Sequence, residues 1–170
     1  DEINFIWRHH NLLYRFDELN KGHANPKVKR YIKRKFSELT KEKQNKIGKR
    51  KDFTVIEKTC ANCLRVDFIN SIFPSAKYIY IKREPLDAIY SIRERWSNKL
   101  SNNLFYLLKK ARYIPKSDLI YYLILYGSYR LKRLFSQENI LPIWGPKYDG
   151  IFEEKEKDPL YKITKQWIKC

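Results

Sequence analysis

A chain of 170 residues that is 43% apolar can bury one core, and 15% aromatic content excludes a disordered chain. Thirty-six Lys and Arg against nineteen Asp and Glu leave a net charge of +17, a field that gathers phosphates, sulfates and acidic surfaces. No run of about eighteen apolar residues occurs, which excludes a helical membrane span, and no N-terminal signal pattern is present.

In chain order, Asn25 and Pro26 open a helix with apolar residues at helical spacing, Val28, Tyr31, Ile32, Phe36 and Leu39, and an end near Gly48. The other faces are basic. Lys27 to Lys51 holds twelve Lys or Arg and two Glu, so this window carries +10 of the +17; it is either a solvated lysine-rich face or a polyanion-binding surface. Phe53 to Glu57 (FTVIE) is a short β-type run. Thr59 or Cys60 then starts a helix carrying Leu64, Phe68, Ile69 and Ile72 inward, and Pro74 ends it.

Lys77 to Lys82 is the second strand, and Pro85 begins a helix that runs to about Leu100. Its dry side is Ile89, Ile92, Trp96 and Leu100, and Asp87, Ser91 and Arg95 form a wet stripe. Two strands separated by a helix predict a parallel-sheet βαβ core with a right-handed crossover, hence the α/β class, in a helix-rich chain. Ser117 and Asp118 are the expected N-cap of a helix from about Leu119 to Phe135. Ser136 to Asp158 lacks periodicity; its LPIWGPKYDG reads as an ordered loop held by Trp144. Asp158 and Pro159 cap a last helix whose buried side is Leu160, Ile163, Trp167 and Ile168. No repeat or linker interrupts residues 1–170, which read as a single domain. The opening on Asp1, the absence of methionine and the stop at Cys170 in a helical pattern read as an interior piece of a longer protein.

The carboxyl ends of parallel strands face the crevice where α/β proteins bind ligands, so Glu57, Lys58 and Arg83 are expected on one rim. An arginine there offers a phosphate two parallel hydrogen bonds and keeps its charge. The helix from Pro85 points its positive end the same way, and Ser91, four residues after Asp87 on one ridge, adds a hydroxyl. The same residues also suit the plain wet stripe of an amphipathic helix.

The string FPSAKYIYIKREPLDAIYS resembles the second cofactor-binding signature of sulfotransferases, which use 3′-phosphoadenosine-5′-phosphosulfate (PAPS). In that family a strand ending in Arg-Asp-Pro runs into a helix with a serine eight positions after the arginine, and the pair holds the nucleotide's 3′-phosphate. Arg83 and Ser91 fall on those positions, Pro85 matches, and Glu84 stands where Asp is usual. VIEKTCANCLRVDFINSIFP is similar to the family's Glu-Lys-Thr-Pro before a helix ending in Phe-Pro, with Cys60 in place of the proline. WGPKYDGI and KQW are similar to segments of a largely bacterial-type branch. The resemblance implies a P-loop-like fold and a PAPS donor with no metal. It also implies a hydroxyl- or amine-bearing acceptor, and an anionic glycan would suit the Lys27 to Lys51 face. By position Glu57 would be the catalytic base. The family's first signature, a strand and a Gly-containing loop around the 5′-phosphosulfate, has no counterpart after Asp1, so residues 1–170 alone are expected not to turn over. The compartment follows the source, cytoplasmic in a bacterium and the Golgi lumen in a eukaryote.

Three other readings stand beside this one. Cys60-Ala-Asn-Cys63 is a CxxC at a strand-to-helix junction, as in thiol redox proteins, but without the surrounding Trp or Gly. A zinc site would need a second pair of ligands at a matching spacing, which Cys170 and the distant histidines do not supply. A basic nucleic-acid- or polyanion-binding module without catalysis suits the charge, although the aromatics fall at core spacing and no specific nucleic-acid motif occurs.

Overall fold

The computed structural model describes residues 3–47, 54–97, 114–135, 145–153 and 158–170. Six α-helices lie in that part: α1 (Asn4–Arg8), α2 (Pro26–Ile47), α3 (Val66–Ile72), α4 (Pro85–Ser97), α5 (Leu119–Phe135) and α6 (Pro159–Lys169). Short 3₁₀ turns at Lys21–His23, Cys60–Leu64 and Lys116–Asp118 stand between them.

The core forms where α1, α2 and α3 meet. Val28 and Ile32 are fully buried and Tyr31 nearly so, and Phe36 and Leu39 continue the same stripe, as the helical spacing requires. They close on Ile3, Ile6 and Trp7 of the first segment and on Phe68, Ile69 and Ile72 of α3. The Trp7 ring centroid lies 5.1 Å from Phe36, 6.4 Å from Phe68 and 6.3 Å from Phe73. One indole therefore links three elements. The start of α2 is fixed by Asn25, whose Oδ1 accepts from the backbone N–H groups of Lys27 and Val28 at 3.0 Å each.

Four local expectations change. Among the described residues no strand forms: residues 54–59 and 76–84 take no regular secondary structure, and Phe53 lies outside the described part. A strand exists only through a neighbour's N–H and C=O groups, and β-formers without one remain a solvated extended chain. Ile79 and Ile81 are accordingly more than 80% exposed. The parallel βαβ sheet is thus not present in this part, which is helical. The helix expected from Cys60 is a 3₁₀ turn followed by α3, because Arg65 between them leaves helical geometry (φ −142°, ψ 33°) and its N–H bonds Asn62 O. It ends at Phe73, before Pro74, as expected.

Asp118 is buried and bonded to His9, so it does not cap α5 with its side chain. In α6 Ile163 is fully buried, but Leu160 and Ile168 are exposed and Gln166 takes the inner position. The Gln166 amide donates to Pro146 O at 2.6 Å and lies against Gly145, whose φ of +92° and 3.1 Å clearance suit only glycine. The Asp158 cap is as expected, accepting from the Leu160 N–H at 2.9 Å. Trp144, the end of α2 at Gly48, and Leu100 lie outside the described residues, as do the side chains of Arg95 and Trp96.

Two further contacts set the frame of the site. Helix α4 packs on α6. The start of α5 docks on the first segment: Phe5 meets Tyr122 edge to face at 4.9 Å, and the Tyr121 hydroxyl donates to Leu12 O at 2.9 Å.

Candidate functional site

Arg83 is exposed, in a segment without regular secondary structure, two residues before α4 begins at Pro85. The first helical bond runs from the Ala88 N–H to Glu84 O at 3.0 Å, so the amides just after Pro85 have no intrahelical acceptor. Ser91 is half-buried on α4, six residues or about 9 Å along the axis from Pro85. Asp87 is exposed one turn before it, and Ala88 faces inward. An exposed guanidinium, a helix start and a serine thus follow one another along one junction.

Glu57 sits in the loop leading to Cys60 and is half-buried. Its two carboxylate oxygens accept from the Thr59 hydroxyl and from the Asn62 amide. Asn62 in turn accepts from Arg65 through Nε at 3.0 Å and Nη2 at 2.9 Å. A carboxylate, an amide and a guanidinium therefore form one chain, and each Glu57 oxygen keeps a second lone pair for a proton.

Arg65 is almost wholly buried over the Trp7 ring, 5.7 Å from its centroid. Burial pulls the guanidinium down to about 10 against the pull of Asp17 and Glu57. Its Nη1 has no hydrogen-bond partner among the described residues. Nearby Asp17 accepts from the Lys147 backbone N–H at 2.9 Å and pairs with Arg8 at 3.6 Å. Burial also lowers the Lys147 ammonium.

The cysteines lie at the other end of the Glu57 loop. Lys58 Nζ reaches Cys60 Sγ at 3.4 Å, and the Cys63 thiol donates to Cys60 O at 2.9 Å. A hydrogen bond from Cys170 lowers Cys63 against the effect of burial and raises Cys170 itself. CxxC therefore reads as part of a thiol cluster that includes Cys170. Among the described residues no group of three or more His, Cys, Asp or Glu is placed to hold a metal ion.

A cavity of about 580 Å³ opens between α2 and the Pro115–Ser117 turn. From α2 it is lined by Lys27, Arg30, Tyr31, Arg34 and Lys35, which share one helical face. His9, His10 and Lys116 complete the wall, and among the described residues no carboxylate lines it. His9 Nδ1 is 2.8 Å from Asp118 Oδ2, both groups buried, which fixes the imidazole. The His9 ring centroid lies 3.8 Å from those of His10 and Tyr31. His10 has a φ of +67°, an uncommon backbone for a non-glycine residue. Burial, His9 and Lys27 lower its imidazole, with Asp118 opposing. Burial and Asp118 raise the Tyr31 hydroxyl to about 12.

None of Arg83, Ser91 and Glu57 lines this cavity. Sequence reasoning found the basic face of α2 but not the His9–Asp118 pair. The partners are 109 residues apart, and neither stands in a motif.

A family model described as the sulfotransferase family matches residues 7–108, well over half of the chain. The match runs from the end of α1 through α4 and includes Glu57, Arg83 and Ser91. The chain belongs to the sulfotransferase family. No curated protein and no solved structure matches it.

Proposed function

We propose that the chain carries the 3′-phosphate grip and the base of an enzyme that transfers a sulfuryl group from PAPS to a hydroxyl, with Arg83 and Ser91 holding the donor's 3′-phosphate. The observation that carries this reading is the order along one junction, an exposed guanidinium, the start of α4, then a serine, within the segment matched to the family. Arg83 would form two charge-assisted bonds to the phosphate oxygens and Ser91 a third. The amides at the start of α4 would add their dipole.

In the transfer the acceptor oxygen attacks sulfur in line, the bond from sulfur to the 5′-phosphate oxygen breaks, and adenosine 3′,5′-bisphosphate leaves. The acceptor's proton goes to Glu57, which the Thr59 and Asn62 hydrogen bonds hold in one orientation. Membership of the sulfotransferase family favours this reading over a nucleic-acid-binding module without catalysis.

Titration calorimetry with adenosine 3′,5′-bisphosphate tests it. Arg83→Ala is expected to weaken binding about 10- to 100-fold, from loss of a charged bond worth about 1.5–3 kcal/mol. Ser91→Ala is expected to weaken it about 3- to 10-fold, from a neutral bond worth about 0.5–1.5 kcal/mol. Unchanged affinity in both variants contradicts the assignment.

A further inference from the structure

We propose that the cavity between α2 and the Pro115–Ser117 turn is a separate binding site for an anionic oligosaccharide, a chain bearing sulfate or carboxylate groups on a non-aromatic frame. The proposal uses no step of the transfer reaction and does not depend on where the donor binds.

Three observations support it. First, the lining cations recur along α2 about one turn of 5.4 Å apart at Lys27, Arg30 and Arg34, with Lys35 beside Arg34 and Lys116 from the neighbouring turn. Such spacing suits a ligand whose charges recur along its length. Second, the field is not cancelled within the cavity. Among the described residues Lys27, Arg30 and Lys116 make no ion pair, the nearby Asp118 is bonded to His9, and Glu38 engages only Arg34 and Lys35, at 3.6 and 2.7 Å. Third, Tyr31 is nine-tenths buried in the wall and its hydroxyl has no hydrogen-bond partner among the described residues.

The aromatic groups favour a sugar over a nucleic acid. Single-stranded nucleic acids gain much of their affinity by stacking bases on open rings. Here the Tyr31 ring packs against His9 at 3.8 Å and carries the Arg34 guanidinium at 5.7 Å, while the rings of His9 and His10 are packed together.

The test is a binding titration with sucrose octasulfate at several salt concentrations, against an oligothymidylate of equal charge. The variants are Lys27→Glu/Arg30→Glu in the cavity and Lys41→Glu/Lys43→Glu further along α2, which change net charge equally. Glutamate in the first turn of α2 and four residues before Arg34 suits the helix, so the cavity variant is expected to fold. Lys116→Glu, from the opposite wall, supplies an independent variant. The proposal expects the cavity variants to weaken sucrose octasulfate at least tenfold with a shallower salt dependence. It also expects the Lys41/Lys43 variant to stay within about twofold and the oligothymidylate to bind more weakly. Equal losses in the two double variants, no loss in the cavity variants, or tighter binding of the oligothymidylate would each overturn it. Adenosine 3′,5′-bisphosphate should bind the cavity variants as it binds the unmodified protein, so failure here and failure of the donor assignment are separately visible.

Discussion

Glu57 carries two duties that a single substitution can separate. Its carboxylate orders the loop through Thr59 and Asn62, and in the proposed transfer it takes the acceptor's proton. Glu57→Gln keeps an oxygen for the Asn62 amide and a group able to donate to the Thr59 hydroxyl, so the fold and nucleotide affinity should hold. In a chain that also carries the phosphate-cradling loop, kcat should fall about 10²- to 10⁴-fold. A kcat within twofold would confine Glu57 to ordering the loop. His10 gives a second residue-scale prediction. In the fold it binds its proton less readily than in the unfolded chain, where the ordinary value is 6.5. The unfolded state therefore takes up the proton first, so this share of stability is present above about pH 6.5 and is lost as pH falls through the lowered folded value. His10 is exposed, so solvent screening keeps the share small. Between about pH 7 and about pH 5, Tm should fall more in the unmodified protein than in His10→Asn. A difference of the opposite sign would contradict the shift.

At the scale of the element, helix starts and buried stripes were readable because they depend on near neighbours. Asn25 caps α2 and Asp158 caps α6 through bonds to amides two or three residues on. Alanine at either position should cost about 1 kcal/mol, read as a lower denaturant midpoint with unchanged slope. No change at Asn25 would mean that the core contacts of Val28 and Ile32 alone fix where α2 begins. The stripe of α2 was legible for the same reason, as Val28, Ile32 and Phe36 repeat at helical spacing. Ile79 and Ile81 were not: alternation marks a segment as able to join a sheet, but a strand needs a neighbour that no local pattern supplies. The inner side of α6 was misjudged because Gln166, polar in sequence, finds Pro146 O at 2.6 Å and displaces Leu160 and Ile168 to the surface.

Across the whole molecule the legible part of the candidate sites is the charge and the junction, and the illegible part is what distant segments bring together. The +10 window resolved into a cavity only because Lys116 and the His9–Asp118 pair come to α2 from elsewhere in the chain. Arg83 and Ser91 were nominated because both lie within one strand-to-helix pattern that resembles a family signature, although no strand forms there among the described residues. The charge also sets what a decisive binding experiment must control, since a net +17 attracts any nucleotide to some degree. The most direct measurement compares two nucleotides that share adenine, ribose and 5′-phosphate. The account predicts that adenosine 3′,5′-bisphosphate binds at least tenfold more tightly than adenosine 5′-monophosphate at about 0.15 M salt, and that Arg83→Ala/Ser91→Ala removes the difference. Equal affinities in the unmodified protein, or a preference that survives the double substitution, would contradict it.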